Sequence, residues 1–452
     1  MRVLIVSPHF PPTNAADMQR VRLVLPYLKV CGVEAEILCV EPAQVAAPLD
    51  AWLEAGLPKD VPVHRVRALS LKWSKIPGLG TLGLRAVRSL KRCGDALLAQ
   101  KRFDLVYFST TVFGIHSLGP RWKRKFGVPF TMDYQDPWVT NYYAEHPEVT
   151  PPGGKLKYGV VDWLARRQEP LVLRECSGIT SVSPSYPKDL NERYPWLQVV
   201  DSTSNTEGAN LDFGKSKILS SVLPFPGDDR DFERVRVDGI RQSVFDPSDG
   251  LRHWVYVGVC PPSMLFALKA LFHALRKCRD TGAKNLADVR LHFIGTSYAP
   301  AGQGQPMVAP LAEEFGLADI VQESTDRIPY SEVLSCLTDA DALIVLGSDD
   351  PGYTASKIYP YLLAEKPLLA VFHEQSSVVA LLKKVGGGTM ITFDQHTSPQ
   401  ALAKSIHLEA FDETGHIRLT PLNRTAFAPH TARYQATQLV DFWQRSANYA
   451  AR

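Results

Sequence analysis

Several things are missing from this sequence, and each absence narrows its class. No C-x-x-C pair occurs, and the 7 cysteines (Cys31, Cys39, Cys93, Cys176, Cys260, Cys278 and Cys336) are odd in number and scattered. A zinc ribbon is thereby excluded, a disulfide framework is not expected, and a reducing compartment is favoured. Charge of one sign is not in excess: 50 Lys and Arg stand against 47 Asp and Glu, for a net charge of +3. Neither global disorder nor a dedicated nucleic-acid binder fits that balance. No membrane-spanning run is present, and residues 1–6 read as a strand that ends at Pro8, far short of a signal-peptide core. The expectation is a cytoplasmic protein. The Walker spacing G-x-x-x-x-G-K-[ST], short internal repeats and low-complexity segments are also missing.

What is present is strand and helix in alternation. The chain has 452 residues, more than one hydrophobic core usually organises, so two domains are expected. Arg2-Val3-Leu4-Ile5-Val6 is a continuous aliphatic run of the kind covered on both faces in a parallel sheet, and a helical pattern with Val21, Leu25 and Leu28 leads to a second strand at 34–40. Runs at 104–108, 129–133 and 178–182 continue the series. After a polar, irregular stretch a second series has strands at 254–257, 289–294, 342–346 and 367–372, with helices at 264–279, 330–337 and 357–364. The expected fold is α/β, two Rossmann-like domains facing a central cleft. Their expected bounds are 1–205 and 206–430, with a terminal helix at 431–452 packing back on the first domain.

Ligands in open parallel sheets bind beyond the carboxyl ends of strands, so functional chemistry is expected in the loops there. The loop 7–17 holds Asn14 and Asp17 before a helix. The loop Asp133-Tyr134-Gln135-Asp136-Pro137-Trp138 sets two carboxylates and an amide beside an indole, a combination that binds sugar hydroxyls or accepts a proton from one. Gly295-Thr296 follows another strand. The richest loop, 347–357, brings glycines, hydroxyls and Lys357 to a helix start, where free N–H groups, the helix dipole and a full charge would suit a diphosphate. His116, just past a strand, is a candidate for proton transfer. Basic stretches with interleaved aromatics, at 72–75, 121–125 and 155–167, make an anionic membrane surface a candidate partner.

Taken together these motifs resemble the family 4 glycosyltransferases, of GT-B architecture. The resemblance rests on Val3-Leu4-Ile5-Val6-Ser7 with Pro11-Pro12, the Asp136-Pro137-Trp138 loop, Ser181-Val182-Ser183, Leu223-Pro224-Phe225, Phe293-Ile294-Gly295, Ala340-Asp341-Ala342, and Ser356-Lys357-Ile358-Tyr359 with Lys366-Pro367. It implies transfer of a sugar from a nucleotide-diphosphate donor to a glycan or lipid-linked acceptor, with retention of configuration, in surface polysaccharide biosynthesis. It implies no metal and no cofactor besides the donor substrate. The donor set would be Gly295, Thr296, Tyr353, Thr354, Ser356, Lys357 and Tyr359, and the acceptor side Asn14, Asp17, Asp133, Gln135 and Trp138. Asp136, Lys357 and His116 would be catalytic. Where the family carries a glutamate pair, E-x-x-x-x-x-x-x-E, this chain has Gly352 and Pro360, and Val259-Cys260 follows Gly258 where a cationic residue is common. That departure motivates the alternative of a catalytically inactive GT-B partner of an active transferase.

Overall fold

The computed structural model describes residues 1–75, 80–145, 151, 154–203, 214–282, 286–299, 301–351, 353 and 355–450. They form two compact units, one of Met1–Phe225 with Ala432–Arg452, the other of Pro226–Thr431.

The first unit is built on eight strands: β1 (Arg2–Val6), β2 (Glu34–Val40), β3 (Val63–Val66), β4 (Leu105–Ser109), β5 (Phe130–Tyr134), β6 (Gly178–Ser181), β7 (Leu197–Asp201) and β8 (Ser216–Val222). All pair in parallel, in the order β3-β2-β1-β4-β5-β6-β8-β7. Strands β1, β4 and β5 lie inside the sheet and are buried on both faces, β1 and β4 almost wholly apolar and β5 admitting Thr131 and Asp133. The helix Gln19–Leu28 turns Val21, Val24, Leu25 and Leu28 onto one face of this sheet, where the terminal helix Ala432–Ala450 adds Leu439, Phe442 and Trp443. The Trp443 indole meets the Tyr107 ring edge-on at 5.0 Å.

The expected boundary at 205/206 is corrected. Strand β8 pairs with β6 and β7, so the first sheet closes only after residue 222. The guanidinium of Arg20 then donates to the carbonyls of Leu223 and Pro224, tying the exit of the chain to the first unit.

The second unit has β9 (Arg252–Val257), β10 (Val289–Ile294), β11 (Val321–Ser324), β12 (Ala342–Leu346), β13 (Leu368–His373) and β14 (Thr389–Phe393), again all parallel, in the order β11-β10-β9-β12-β13-β14. The helix Leu265–Thr281 buries Leu268, Leu271, Phe272 and Leu275 against it. Both sheets thus carry the Rossmann order 3-2-1-4-5-6. In each the order reverses between its first and fourth strands, β1 with β4 and β9 with β12, and the crevice for a ligand opens beyond their carboxyl ends. Among the described residues no helix is long and apolar enough to cross a membrane.

Candidate functional site

In the second unit the switch point falls between the loop after β9, which starts at Gly258, and the loop after β12, which starts at Gly347. Gly258 has φ +122, and a side chain there would meet the Lys357 Nζ at 3.0 Å. Only glycine lets the lysine lie across this turn. Lys357 Nζ donates to the Tyr256 hydroxyl at 2.7 Å and lies 4.1 Å from that ring's centroid, while the hydroxyl donates to the Val259 carbonyl at 2.8 Å. No carboxylate pairs with this ammonium among the described residues. Burial therefore pulls the Lys357 ammonium down to about 7, the partial exposure of the side chain working against the fall. The result is an amine held in place with no carboxylate partner among the described residues, at the strand ends where open parallel sheets generally bind their ligands.

Lys357 is not in a long helix. The helix that follows is Ile358–Leu363, six residues, with Lys357 as its N-cap, so the expected helix at 357–364 is shorter and its dipole contributes less than the charge itself. Ser356 is exposed beside it. Tyr353 packs against the core of the unit, its carbonyl accepting from Ser376 Oγ at 3.2 Å. Gly352 and Thr354 lie outside the described residues. Tyr359, expected to touch the donor, is corrected: its ring is buried against His430, 5.7 Å between centroids, and Phe427. Thr296 is corrected too. Its hydroxyl donates to Glu323 at 2.6 Å, and its carbonyl receives the Cys260 N–H at 3.1 Å, so it fastens two loops together. Gly295, at φ +70, turns the chain beside Arg327, whose guanidinium lies 4.9 Å from the exposed Tyr298 ring. Glu323 was missed in the sequence. It also accepts from the backbone N–H groups of Met307, Val308 and Ala309, fixing the start of the next helix.

In the first unit the loops after β1, β4 and β5 bring together a second group. Asp17 is buried, and its carboxylate accepts from His9 Nδ1 at 2.8 and 2.9 Å, from Thr110 Oγ1 at 2.8 Å and from the Thr111 N–H at 3.2 Å. These donors, His9 foremost, outweigh its burial and hold its pKa below the usual carboxylate value. The histidine was missed because His9 alone, two residues past a strand, carries no spacing signal. Its partner Asp17 gives it meaning: with Nδ1 committed to the carboxylate, Nε2 makes no hydrogen bond among the described residues and is open to accept a proton. Asp136 is exposed; protein crowding around its loop, and secondarily the charge of Asp17, push its carboxyl up to about 6, its contact with water opposing the rise. Asn14 is half-buried, its N–H on the Pro48 carbonyl at 2.8 Å.

Four further expectations here are corrected. His116 is not a proton-transfer group: it is 1% exposed, both ring nitrogens lack a partner, and the rings of Phe108, Phe113 and Trp138 enclose it. Burial drives its pKa down to about 3, so it stays neutral. Trp138, stacked on Phe113, belongs to the same aromatic cage. Asp133 is fully buried, accepting from Arg20 Nε at 2.8 Å, Thr180 Oγ1 at 2.7 Å, Ser109 Oγ at 3.1 Å and Gln135 Nε2 at 2.8 Å. Gln135 also donates to the Asp17 carbonyl at 3.1 Å, so Gln135 ties the loop that follows β5 and carries Asp136 to the end of the loop after β1 that carries Asp17. Arg20 was hidden by the apolar spacing of its helix; the buried ion pair with Asp133 fixes the helix against β5. Among the described residues no group of three or more His, Cys, Asp or Glu is placed to hold a metal ion.

With this geometry in hand, the comparisons with known proteins fall into place. Residues 19–196 match the model of the glycosyl transferase 4-like domain. No curated protein matches the chain. Among solved structures, HepE of Anabaena in complex with UDP and glucose is 15% identical with a TM-score of 0.53, the match covering 100% of this chain and 98% of that one. The UDP-forming α,α-trehalose-phosphate synthase of Burkholderia xenovorans gives 10% identity and 0.54, covering 100% and 97%. The α,α-trehalose 6-phosphate synthase of Burkholderia multivorans gives 11% and 0.55, covering 99% and 96%. At such identities the likeness is one of fold. The protein is a two-domain Rossmann-like α/β protein with the GT-B fold, and residues 19–196 of its first unit match the glycosyl transferase 4-like family model. The resemblance to the family 4 glycosyltransferases holds over residues 19–196, where the family model matches, and the expected two-domain Rossmann-like fold is found.

Proposed function

We propose that the chain is a nucleotide-sugar-dependent glycosyltransferase, moving a sugar from a nucleoside-diphosphate donor to a glycan or lipid-linked acceptor with retention, in surface polysaccharide biosynthesis at the cytoplasmic face of a membrane. The observation that carries this reading is the Lys357 ammonium lying over Gly258, with no carboxylate partner among the described residues, at the switch point of the second sheet. In the reaction the bond from the anomeric carbon to the phosphate oxygen breaks, the diphosphate leaves with the electron pair, and the acceptor oxygen bonds to that carbon and loses its proton. A fixed cation lowers the barrier because negative charge grows on the departing phosphate. Asp136 and the Nε2 of His9 are the groups of the first unit suited to an acceptor hydroxyl and its proton. HepE, bound to UDP and glucose in its structure, supports testing uridine donors first.

The alternative, a catalytically inactive GT-B partner, is supported by Gly352 and Pro360 standing where the family carries glutamates. Thermal-shift titration with UDP, GDP, ADP and their sugars tests both. A ligand at a hundred times its Kd stabilises the native state by about 2.7 kcal/mol, a readily visible shift. The proposal expects a response to one nucleotide class together with slow release of the free diphosphate from its sugar. A response without release supports the inactive partner, and no response to any nucleotide contradicts the transferase proposal and favours the inactive partner.

A further inference from the structure

The helix Lys155–Leu173 of the first unit carries an apolar face that the described residues leave exposed. Val160, Trp163, Leu164, Arg167 and Leu171 recur at intervals of three and four, one stripe at helical pitch, and Arg174 continues it just past the last residue. Val160 is 46%, Trp163 52% and Leu171 64% exposed. The cations of this stripe have aromatic partners and no acid: the Arg167 guanidinium lies 4.3 Å from the Trp163 ring centroid and that of Arg174 lies 4.2 Å from the Trp196 centroid. Lys157, one turn earlier, is exposed and has no carboxylate partner among the described residues. The acids are occupied elsewhere. Asp162 accepts from Arg166 at 2.7 Å off the stripe, Glu169 is buried with Tyr134, Tyr194 and Arg193, and Glu175 pairs with Arg124.

We infer that this face is a docking surface for an anionic phospholipid bilayer. Exposed aliphatics, an indole and cations segregated from every carboxylate complement a surface whose outer layer is negative and whose next layer is apolar. A protein partner is disfavoured by size. The stripe runs 14 residues, about 21 Å, on a helix roughly 10 Å across, giving on the order of 200 Å² where a stable protein interface needs about 800 Å² a side. A bilayer needs no such area from one helix, because insertion by about 5–10 Å along its length suffices. This assignment deepens the membrane-face location proposed above, but stands on the helix itself and does not depend on sugar transfer.

Flotation of the full chain with phosphatidylcholine vesicles, with and without about 30% phosphatidylglycerol, tests it without any nucleotide. Binding is expected to the anionic vesicles only and to weaken with salt. Removing both guanidinium groups in the double variant Arg167→Ala with Arg174→Ala should lower partitioning about 25-fold, roughly fivefold per cation near such a surface. Trp163→Ala should also weaken it, whereas Lys383→Ala with Lys384→Ala, an equal loss of charge in the second unit, should not. All these side chains are exposed, and circular dichroism with melting would confirm that each variant is folded. Equal binding to neutral vesicles, no binding to anionic ones, or partitioning unchanged in the stripe variants overturns the assignment. So does a self-associated form that Trp163→Ala dissolves while vesicles recruit nothing, which would give the face to a second copy of this chain.

Discussion

Replacing Lys357 by methionine should remove most of the transfer rate while leaving the fold intact or firmer. Among the described residues the ammonium has one polar partner, the Tyr256 hydroxyl at 2.7 Å, and the short helix behind it adds little dipole. Losing one preorganised charge from the departing diphosphate should cost about 2.7–4 kcal/mol, or roughly 10²–10³ in kcat, by analogy with removing an oxyanion donor. Stability should move the other way. The native pKa, about 7, lies below the ordinary lysine value of 10.5, so between these values the unfolded chain binds the extra proton and stability rises with pH. Methionine removes the burdened charge, so the variant should melt above the parent near pH 6–7, with the gap narrowing towards pH 10. Donor turnover by the parent should in turn fall as pH rises through about 7, a limb the variant should lack. The assay is nucleoside-diphosphate release at saturating donor, with differential scanning calorimetry across pH. A variant that keeps the parental rate and the parental pH profile would refute the reasoning and place the phosphate site elsewhere.

Gly258→Ala should weaken donor binding and also lower the melting temperature, since φ +122 strains any side chain by about 1–3 kcal/mol and the new methyl group, 3.0 Å from Lys357 Nζ, displaces the ammonium; calorimetric titration with the donor beside a thermal melt reads both. His116→Phe should leave turnover unchanged and hold its melting temperature better in acid: the native histidine titrates near 3 against 6.5 unfolded, so the parent loses stability as pH falls below about 6.5, a loss phenylalanine cannot suffer. Arg20→Met strands the buried Asp133 carboxylate and should destabilise by about 3–5 kcal/mol in urea unfolding, whereas Arg20→Met with Asp133→Leu should recover much of it. Asp17→Asn, leaving His9 without its orienting carboxylate, should reduce sugar transfer to the acceptor about 10²–10⁴-fold and slow donor hydrolysis by water much less; equal effects on both would remove His9 from proton transfer.

Much of the fold is legible in the sequence because buried parallel strands need continuous aliphatic runs, and Val3 to Val6, Val106 to Phe108 and Leu343 to Leu346 supply them. Strand β8 escapes that rule. It reads Ser216-Lys217-Ile218-Leu219-Ser220-Ser221-Val222, polar enough to pass for connector because it lies near the sheet's edge, and the boundary was placed about twenty residues early as a result. In the site, position along the chain identified the loops but not which side chains face out of them. Lys357 was legible as the cation beside a glycine loop. His116 was misread because a histidine past a strand end looks the same whether an aromatic cage or solvent surrounds it. His9 and Arg20 were missed for the converse reason: their meaning lies in Asp17 and Asp133, carboxylates that only the folded sheet brings within hydrogen-bonding distance.

The central claim is most directly tested by incubating the purified chain with a panel of uridine, guanosine and adenosine diphosphate sugars and following the free nucleoside diphosphate, alongside Lys357→Met. The account predicts release from one nucleotide class by the parent and a loss of about 10²–10³ in the variant. Binding of that nucleotide with no release at any protein concentration, or release that does not change with Lys357, would contradict it.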